Sequence, residues 1–413
     1  GTARFDSAFA AITSRKSFKE GGSGLFDRSA LYHAVGEYKF TPSFGDITVG
    51  GNFRMYRPNS DGTIFSDTLD RRITNQEYGA YTGIEKKLND GKYKINLTAR
   101  LDKNQNFDYL FSPAASLIYT PDKNHILRFS FGSAIRNPTL ADQYLYYNVG
   151  RAILLGNTSG YDSLLTVPSV RNFFEYNRDK TYLRYFNLDP VAPEQVRTFE
   201  VGYRASLFKR LYLDVNYYYS IYKNFIGYTI GVDADVYSTI FGINELLINN
   251  VYRIASNATD LVNTQGASLG LNYFIGKFYS LNGNWSWNEL NKRGSEDPII
   301  PAFNTPRNKF NIGISGRDIE TMLFNKIKIT NYSFSVNYKW VQGFEFEGSP
   351  QFTGAIPAYD LLDAQISKSI PKIKCVFKLG CSNILENLHY EVYGGPLIGR
   401  MAYACVLVDL SKK

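Results

Sequence analysis

The sequence predicts an all-β protein, an antiparallel transmembrane β-barrel, on three observations: apolar and polar residues alternate strictly, the alternating segments run to about 9–13 residues, and their connections alternate short and long. Hydrophobic residues make up 44% of the 413, with Tyr 32 and Phe 29. Mean hydropathy is still only −0.27, so the apolar residues are thinly spread. No stretch approaches the roughly 18 consecutive apolar residues of a spanning helix. A closed barrel crosses a bilayer without one, because each strand satisfies its backbone groups on two neighbours.

Along the chain, strands are expected at 29–40 and 44–56, joined across Thr41–Asp46, and then at 75–88. In the next, 92–103, Tyr93, Ile95, Leu97, Ala99 and Leu101 alternate with Lys94, Asn96, Thr98, Arg100 and Asp102, so a pleated strand shows one set on each face. Segments 109–120 and 124–136 meet across Thr120–Asn124. In 196–208, Phe199, Val201, Tyr203 and Ala205 oppose Glu200, Gly202, Arg204 and Ser206. In 211–224, Leu211, Leu213, Val215, Tyr217 and Tyr219 oppose Asp214, Asn216 and Ser220. Segments 265–276 and 279–289 flank Gly276–Lys277, and 308–317 follows. In 328–342, Tyr332, Phe334, Val336, Tyr338 and Trp340 oppose Ser333, Ser335, Asn337 and Lys339. Segments 358–370, 373–383 and 399–410 bring the total to about fifteen strands of barrel-spanning length.

Short connections such as Leu88–Gly91, Phe208–Arg210 and Pro371–Lys372 carry the Gly, Pro, Asn or Asp of tight turns, or simply have no room for more. Long ones are Asn137–Gln195, Phe225–Thr264 and Asn291–Arg307, with moderate ones at Arg57–Thr74, Gly343–Pro357 and Leu385–Gly399. Arg317–Lys326 is the exception, somewhat long for its side. With the short turns periplasmic, the last strand descends and so does the first. Gly1–Arg28 then belongs mainly to an extracellular loop, and further barrel is expected upstream. Gly1–Ala11 has no signal-peptide pattern, as in a mature or truncated chain. A β-sandwich rarely uses fifteen long strands, and the 40–50-residue repeat of a propeller is missing.

The net charge of +8 comes without a basic run or recognition-helix pattern, so nucleic acid is not an expected partner. Cys375, Cys381 and Cys405 are too few and too late in the chain for a disulfide framework. His33, His125 and His389 lack a second ligand at metal spacing. Nucleophile elbows, phosphate loops and dinucleotide fingerprints are also missing. The expectation is therefore no enzyme, no cofactor and no metal. Asp233, Asp235 and Glu245, or Asn59 to Thr63, fall short of calcium-loop spacing and read better as turn chemistry.

Substrate contact is expected in Asn137–Gln195, where arginines interleave with aromatics: Tyr146, Arg171, Phe173, Phe174, Tyr176, Arg178, Tyr182 and Arg184. Aromatic faces stack on sugars or aromatic chelates, and arginine grips carboxylates or phosphates. The competing reading is that these residues fold the loop on itself. Arg54, Arg100, Arg128, Arg204 and Glu200, with Glu37, are expected to face a wet lumen.

Five fragments in order resemble TonB-dependent outer-membrane receptors. Arg128–Tyr144 contains Ala134-Ile135-Arg136-Asn137-Pro138; Ser112-Pro113 precedes Tyr119-Thr120-Pro121; and Leu188-Asp189-Pro190 leads through Pro193-Glu194 to Thr198–Tyr203. Asn304–Phe310 and Cys381–Tyr390 complete the set. The resemblance spans essentially the whole of 1–413 as one barrel domain, of which about 15–16 strands of the 22 it implies are present. It implies an N-terminal plug, here absent, pulled by a TonB-type energy transducer. It also implies the cell outer membrane, contact with its lipid and lipopolysaccharide, and import of an iron chelate, cobalamin, oligosaccharide or peptide, with a surface lipoprotein as candidate partner. Tyr403–Leu410 departs from the family in lacking a terminal aromatic. The alternatives are an unplugged porin-like passive channel and, lower, an outer-membrane enzyme.

Overall fold

The computed structural model describes residues 1–15, 20–68, 71–238, 243–291, 303–323, 327–348 and 353–410. Its frame is a 15-stranded sheet with neighbours in sequence order. We number these strands β1 (Ala30–Phe40), β2 (Asp46–Arg57), β3 (Asn75–Leu88), β4 (Tyr93–Asn104), β5 (Phe107–Asp122), β6 (His125–Arg136), β7 (Glu194–Leu207) and β8 (Leu211–Lys223). They continue as β9 (Val262–Ile275), β10 (Tyr279–Asn291), β11 (Asn308–Leu323), β12 (Ile327–Val341), β13 (Tyr359–Ile370), β14 (Cys375–Ser382) and β15 (Met401–Val408). All pairings are antiparallel, and each strand overlaps one expected from the alternation.

Register carries the alternation sideways. Ile84, Leu97, Ala115, Phe131, Phe199 and Tyr219 are successive cross-strand partners on one face. Glu85, Asn96, Ser116, Ser130, Glu200 and Tyr218 form the matching row on the other. A one-residue slip would exchange the two sets, so burying one face in hydrocarbon fixes the pairing. Leu97 remains 49% exposed and Phe199 50%, as expected of side chains whose solvent is lipid.

The connection expected to be long, Arg317–Lys326, is mostly strand. Bulges at Gly316 to Ile319 and Ile319 to Thr321 let β11 and β12 run on together, and what remains at 324–326 lies outside the described residues. Most of Asn291–Arg307 also lies outside them. At the opposite end, 105–106 is a tight turn among long connections. Among the described residues, β1 and β15 pair only with β2 and β14 and not with each other. Before β1 comes a helix, α1 (Ala3–Thr13), none of whose residues is buried.

Candidate extracellular head and lumenal face

The two longest described connections do not stay separate. Residues between β6 and β7 and between β8 and β9 build one six-stranded sheet in the order Tyr185–Leu188, Tyr161–Thr166, Ile226–Ser238, Asn244–Asn257, Ile153–Leu155, Tyr146–Asn148. Only the pairing of Asn244–Asn257 with Ile153–Leu155 is parallel. Each face has its own core. Ile153, Leu155, Leu164 and Ile254 pack on one side. On the other, Leu165, Val232 and Leu246 pack against Val170 and Phe173, which belong to α3 (Val167–Glu175), and against Leu183. The helix starts there because Thr166 Oγ1 accepts from Ser169 N–H at 3.3 Å and Pro168 supplies a fixed φ in the first turn.

This core sorts the expected substrate residues. Phe173 is 0% exposed, so it packs the head and presents no ring outward. Arg178 is committed to an ion pair with Glu245, and its carbonyl accepts from Asn244 Nδ2 at 3.0 Å. Tyr176 and Tyr182 stack with centroids 4.6 Å apart. Arg184 donates from Nη1 to Thr181 O at 3.0 Å yet stays exposed. Arg171, Phe174, Tyr176, Tyr182 and Arg184 therefore remain on the surface, joined by exposed Tyr185. Tyr146 is exposed on the far edge strand of the sheet. Burial raises the Tyr161 phenol above its ordinary pKa, with Tyr252 adding to the effect. Tyr161 OH donates to Gly156 O at 2.8 Å, so it serves the core as a neutral phenol.

Sequence reasoning missed the residues that hold the head to the wall. Buried Asn75 donates to Gln143 Oε1 at 2.9 Å and accepts from Asn104 Nδ2 at 2.9 Å. Asn106 Nδ2 lies 2.7 Å from the same Gln143 oxygen, and Gln143 itself donates to Pro138 O at 2.7 Å. Gln143 sits in α2 (Leu140–Tyr144), closed by a reciprocal Thr139–Asp142 capping box. Glu194 accepts from Arg136 at 2.8 Å and from Ile226 N–H at 2.9 Å, locking the rim to the second loop. The Asn and Gln density at these strand ends was the available signal.

Register puts Glu37, Arg54, Arg100, Arg128, Glu200 and Arg204 on the single polar face. Arg100 is bidentate to Asp102 and donates to Asn52 Oδ1 at 2.6 Å. Arg128 and Arg204 share Asp214, at 2.7 and 2.8 Å. Arg54 is exposed beside a cavity of about 310 Å³ that Glu77, Arg100 and Asp102 also line. Glu200 borders a smaller one of about 240 Å³ with Asn96, Thr98 and Ser130. Among the described residues, four inaccessible polar atoms on this face, Ser112 Oγ, Asn216 Oδ1, Asn272 Oδ1 and Ser286 Oγ, have no hydrogen-bond partner. Such atoms call for water or another polar surface.

The calcium candidates resolve into local chemistry. Asp67 accepts from Ser60 N–H at 2.5 Å, Ser60 Oγ at 2.7 Å and Gly62 N–H at 2.8 Å, closing the turn over Asn59 to Thr63. Burial disfavours its charge, but these bonds outweigh burial and hold the carboxyl below its ordinary pKa. Asp235 accepts from Asn249 at 3.0 Å, while Glu245 serves Arg178.

Comparison with known proteins gives a consistent answer. The family described as TonB dependent receptor-like, beta-barrel matches residues 2–384. The structure is similar to the siderophore receptor PirA from Acinetobacter baumannii (13% identity, TM-score 0.61, covering 92% of this chain and 54% of that one). A variant of the ferric enterobactin receptor PfeA from Pseudomonas aeruginosa gives 14% identity and TM-score 0.63, covering 92% and 53%. The FrpB iron transporter from Neisseria meningitidis gives 13% identity and TM-score 0.58, covering 92% and 54%. At such identities the likeness shows the fold alone, and the chain spans about half the length of these structures. No curated protein matches the chain.

Proposed function

The chain belongs to the TonB-dependent receptor family, as part of its outer-membrane β-barrel, and from that premise we propose that it serves active transport. A scarce solute binds at the extracellular head and enters through the lumen, driven by a TonB-type transducer acting on a plug. The observation that carries this is the head itself. Two connections on one end of the wall share a sheet with two cores, and a passive pore has no need of such a built surface. The polar face, with its charged clusters and unpartnered amide and hydroxyl oxygens, suits contact with a lumenal plug. Further strands outside this sequence would satisfy the free edges of β1 and β15, since open edges are not tolerated in lipid.

For the solute, an iron chelate is the first class to test, because the similar structures are a siderophore receptor, a ferric enterobactin receptor and an iron transporter. Cobalamin, oligosaccharides and peptides are the other classes. The binding surface is Arg171, Phe174, Tyr182 and Arg184, without buried Phe173. In cells carrying the whole receptor, ferric-chelate uptake should stop on adding a protonophore while surface binding persists. The combined changes Arg171→Gln, Phe174→Ala and Tyr182→Ala should weaken binding about tenfold or more. Uptake insensitive to the protonophore would transfer the case to the passive channel, whose support is the same unpartnered polar atoms read as a wet lumen. Unchanged affinity in the triple variant would remove the head surface from the proposal.

A further inference from the structure

A cavity of about 300 Å³ opens in the connection between β2 and β3, lined by Arg57, Arg71 and Arg72 together with Phe26, Asp61 and Asp67. All three arginines are exposed, and none takes part in an ion pair among the described residues. Arg100, Arg128, Arg136, Arg178, Arg204 and Arg307 are all paired elsewhere. Of the two carboxylates, Asp67 is 8% exposed and already accepts three hydrogen bonds from Ser60 and Gly62, so its oxygens are taken up by the turn.

The cup is held rather than loose. Thr63 Oγ1 accepts from Phe26 N–H at 3.0 Å and donates to Ser60 O at 2.7 Å. Arg28 N–H donates to Asn59 O at 2.8 Å, and Arg71 N–H to Thr68 O at 3.1 Å. Neighbouring Ile73 is 4% exposed and also lines the cavity. Three arginines against the two carboxylates of Asp61 and Asp67 leave the lining net positive, a charge that a bound anion would offset. The planar guanidinium forks match the oxygens of phosphate, and several forks converging on one group is how arginine selects phosphate over a point acceptor.

We propose that this rim cup binds a phosphate group of high charge. Arg57 ends β2 on the same parity as Ile47, Val49, Phe53 and Met55, the lipid-facing set, so the cup opens beside the membrane surface. The phosphate is therefore that of a lipid headgroup or of a soluble ligand, and the site stands or falls independently of energised uptake.

The test uses the whole receptor purified from its outer membrane. Inorganic pyrophosphate binding is followed by calorimetry, and added lipid A by counting adducts in native mass spectrometry. For whichever probe binds, R57Q/R71Q/R72Q should weaken affinity at least tenfold. R57K/R71K/R72K, which keeps charge and loses the forks, should fall between it and the parent. Arg210→Gln, in a short turn at the opposite end, should change nothing. Mobility of unheated samples on a gel checks that each variant keeps its barrel. Binding of pyrophosphate assigns the cup to a soluble phosphate, and binding of lipid A alone assigns it to the headgroup. The proposal is overturned if neither probe binds, or if the glutamine variant binds as the parent does.

Discussion

Replacing Phe173 by alanine tests whether the head is a folded unit in its own right. The ring is 0% exposed and packs with Leu165, Val170, Leu183, Val232 and Leu246, so the change empties the centre of one core. It also removes an edge-to-face contact with Phe174, whose centroid is 5.3 Å away at 81°. Buried Phe→Ala changes cost about 3–5 kcal/mol. At 1.4 kcal/mol per factor of ten, the lower half of that range means roughly 10²- to 10³-fold more frequent opening. The loss should be local, because the wall is held by its own ladders and only the head depends on this core. Amide exchange in the detergent-held receptor should therefore accelerate by that factor in Tyr161–Thr166 and Ile226–Ser238 while β7 and β8 stay protected. Phe174→Ala, at a ring 48% exposed, should change exchange by less than about tenfold. Unaltered exchange in the head, or equal acceleration in the wall, would refute the reasoning.

Two further perturbations address the head and the rim loop between β2 and β3. Asn157, fully buried, donates to Asp189 O at 2.7 Å and Ala255 O at 3.0 Å and accepts from Gly160 N–H at 2.9 Å. Asn157→Ala strands those three groups and should destabilise the head by about 3 kcal/mol, read as the same pattern of local exchange, with a silent result contradicting it. Asp67 gives a pH dependence. Its folded carboxyl lies below the ordinary value, so its stabilisation of the rim loop is complete above the unfolded pKa of about 3.9 and is lost as pH falls through the lower folded one. Protease cleavage within 58–74 should rise on acidification below about pH 4 in the parent, whereas Asp67→Asn should be cleaved readily at all pH values. A pH-independent parent would argue against it.

The wall was legible because two solvents write two alphabets on one strand. In β4, every odd position from Tyr93 to Leu101 is apolar and every even one from Lys94 to Asp102 polar, and the structure keeps both rows intact through β8. Where the reading stopped short, a different force was acting. The expected end of β11 at 317 fell where bulges, not a turn, absorb the irregular sequence Arg317–Glu320. The helix α1 carries Phe5, Phe9 and Ile12 at helical spacing, with Phe5 and Phe9 stacked at 5.9 Å, a signal that a period-2 reading passes over.

The head was illegible for a reason built into its packing. Ile226, Tyr228, Ile230 and Val232 do alternate with Gly227, Thr229, Gly231 and Asp233, but the sheet is covered on both faces, so the second set is not a solvent face. Thr229 and Ser256 hydroxyls meet at 2.9 Å across that covered side, and Ile254 stands beside them at 0% exposure. Period-2 logic reads a strand against a contrast of environments, and here the contrast is missing. The contacts that build the core also join residues far apart in sequence: Phe173 meets Val232 and Leu246, and Asn157 meets Ala255. Arginine and aromatic runs thus identified the right loop and mixed two populations within it. Phe173 and Arg178 hold the fold by burial and by pairing with Glu245, which leaves Arg171, Phe174, Tyr176, Tyr182 and Arg184 as the exposed part of the run.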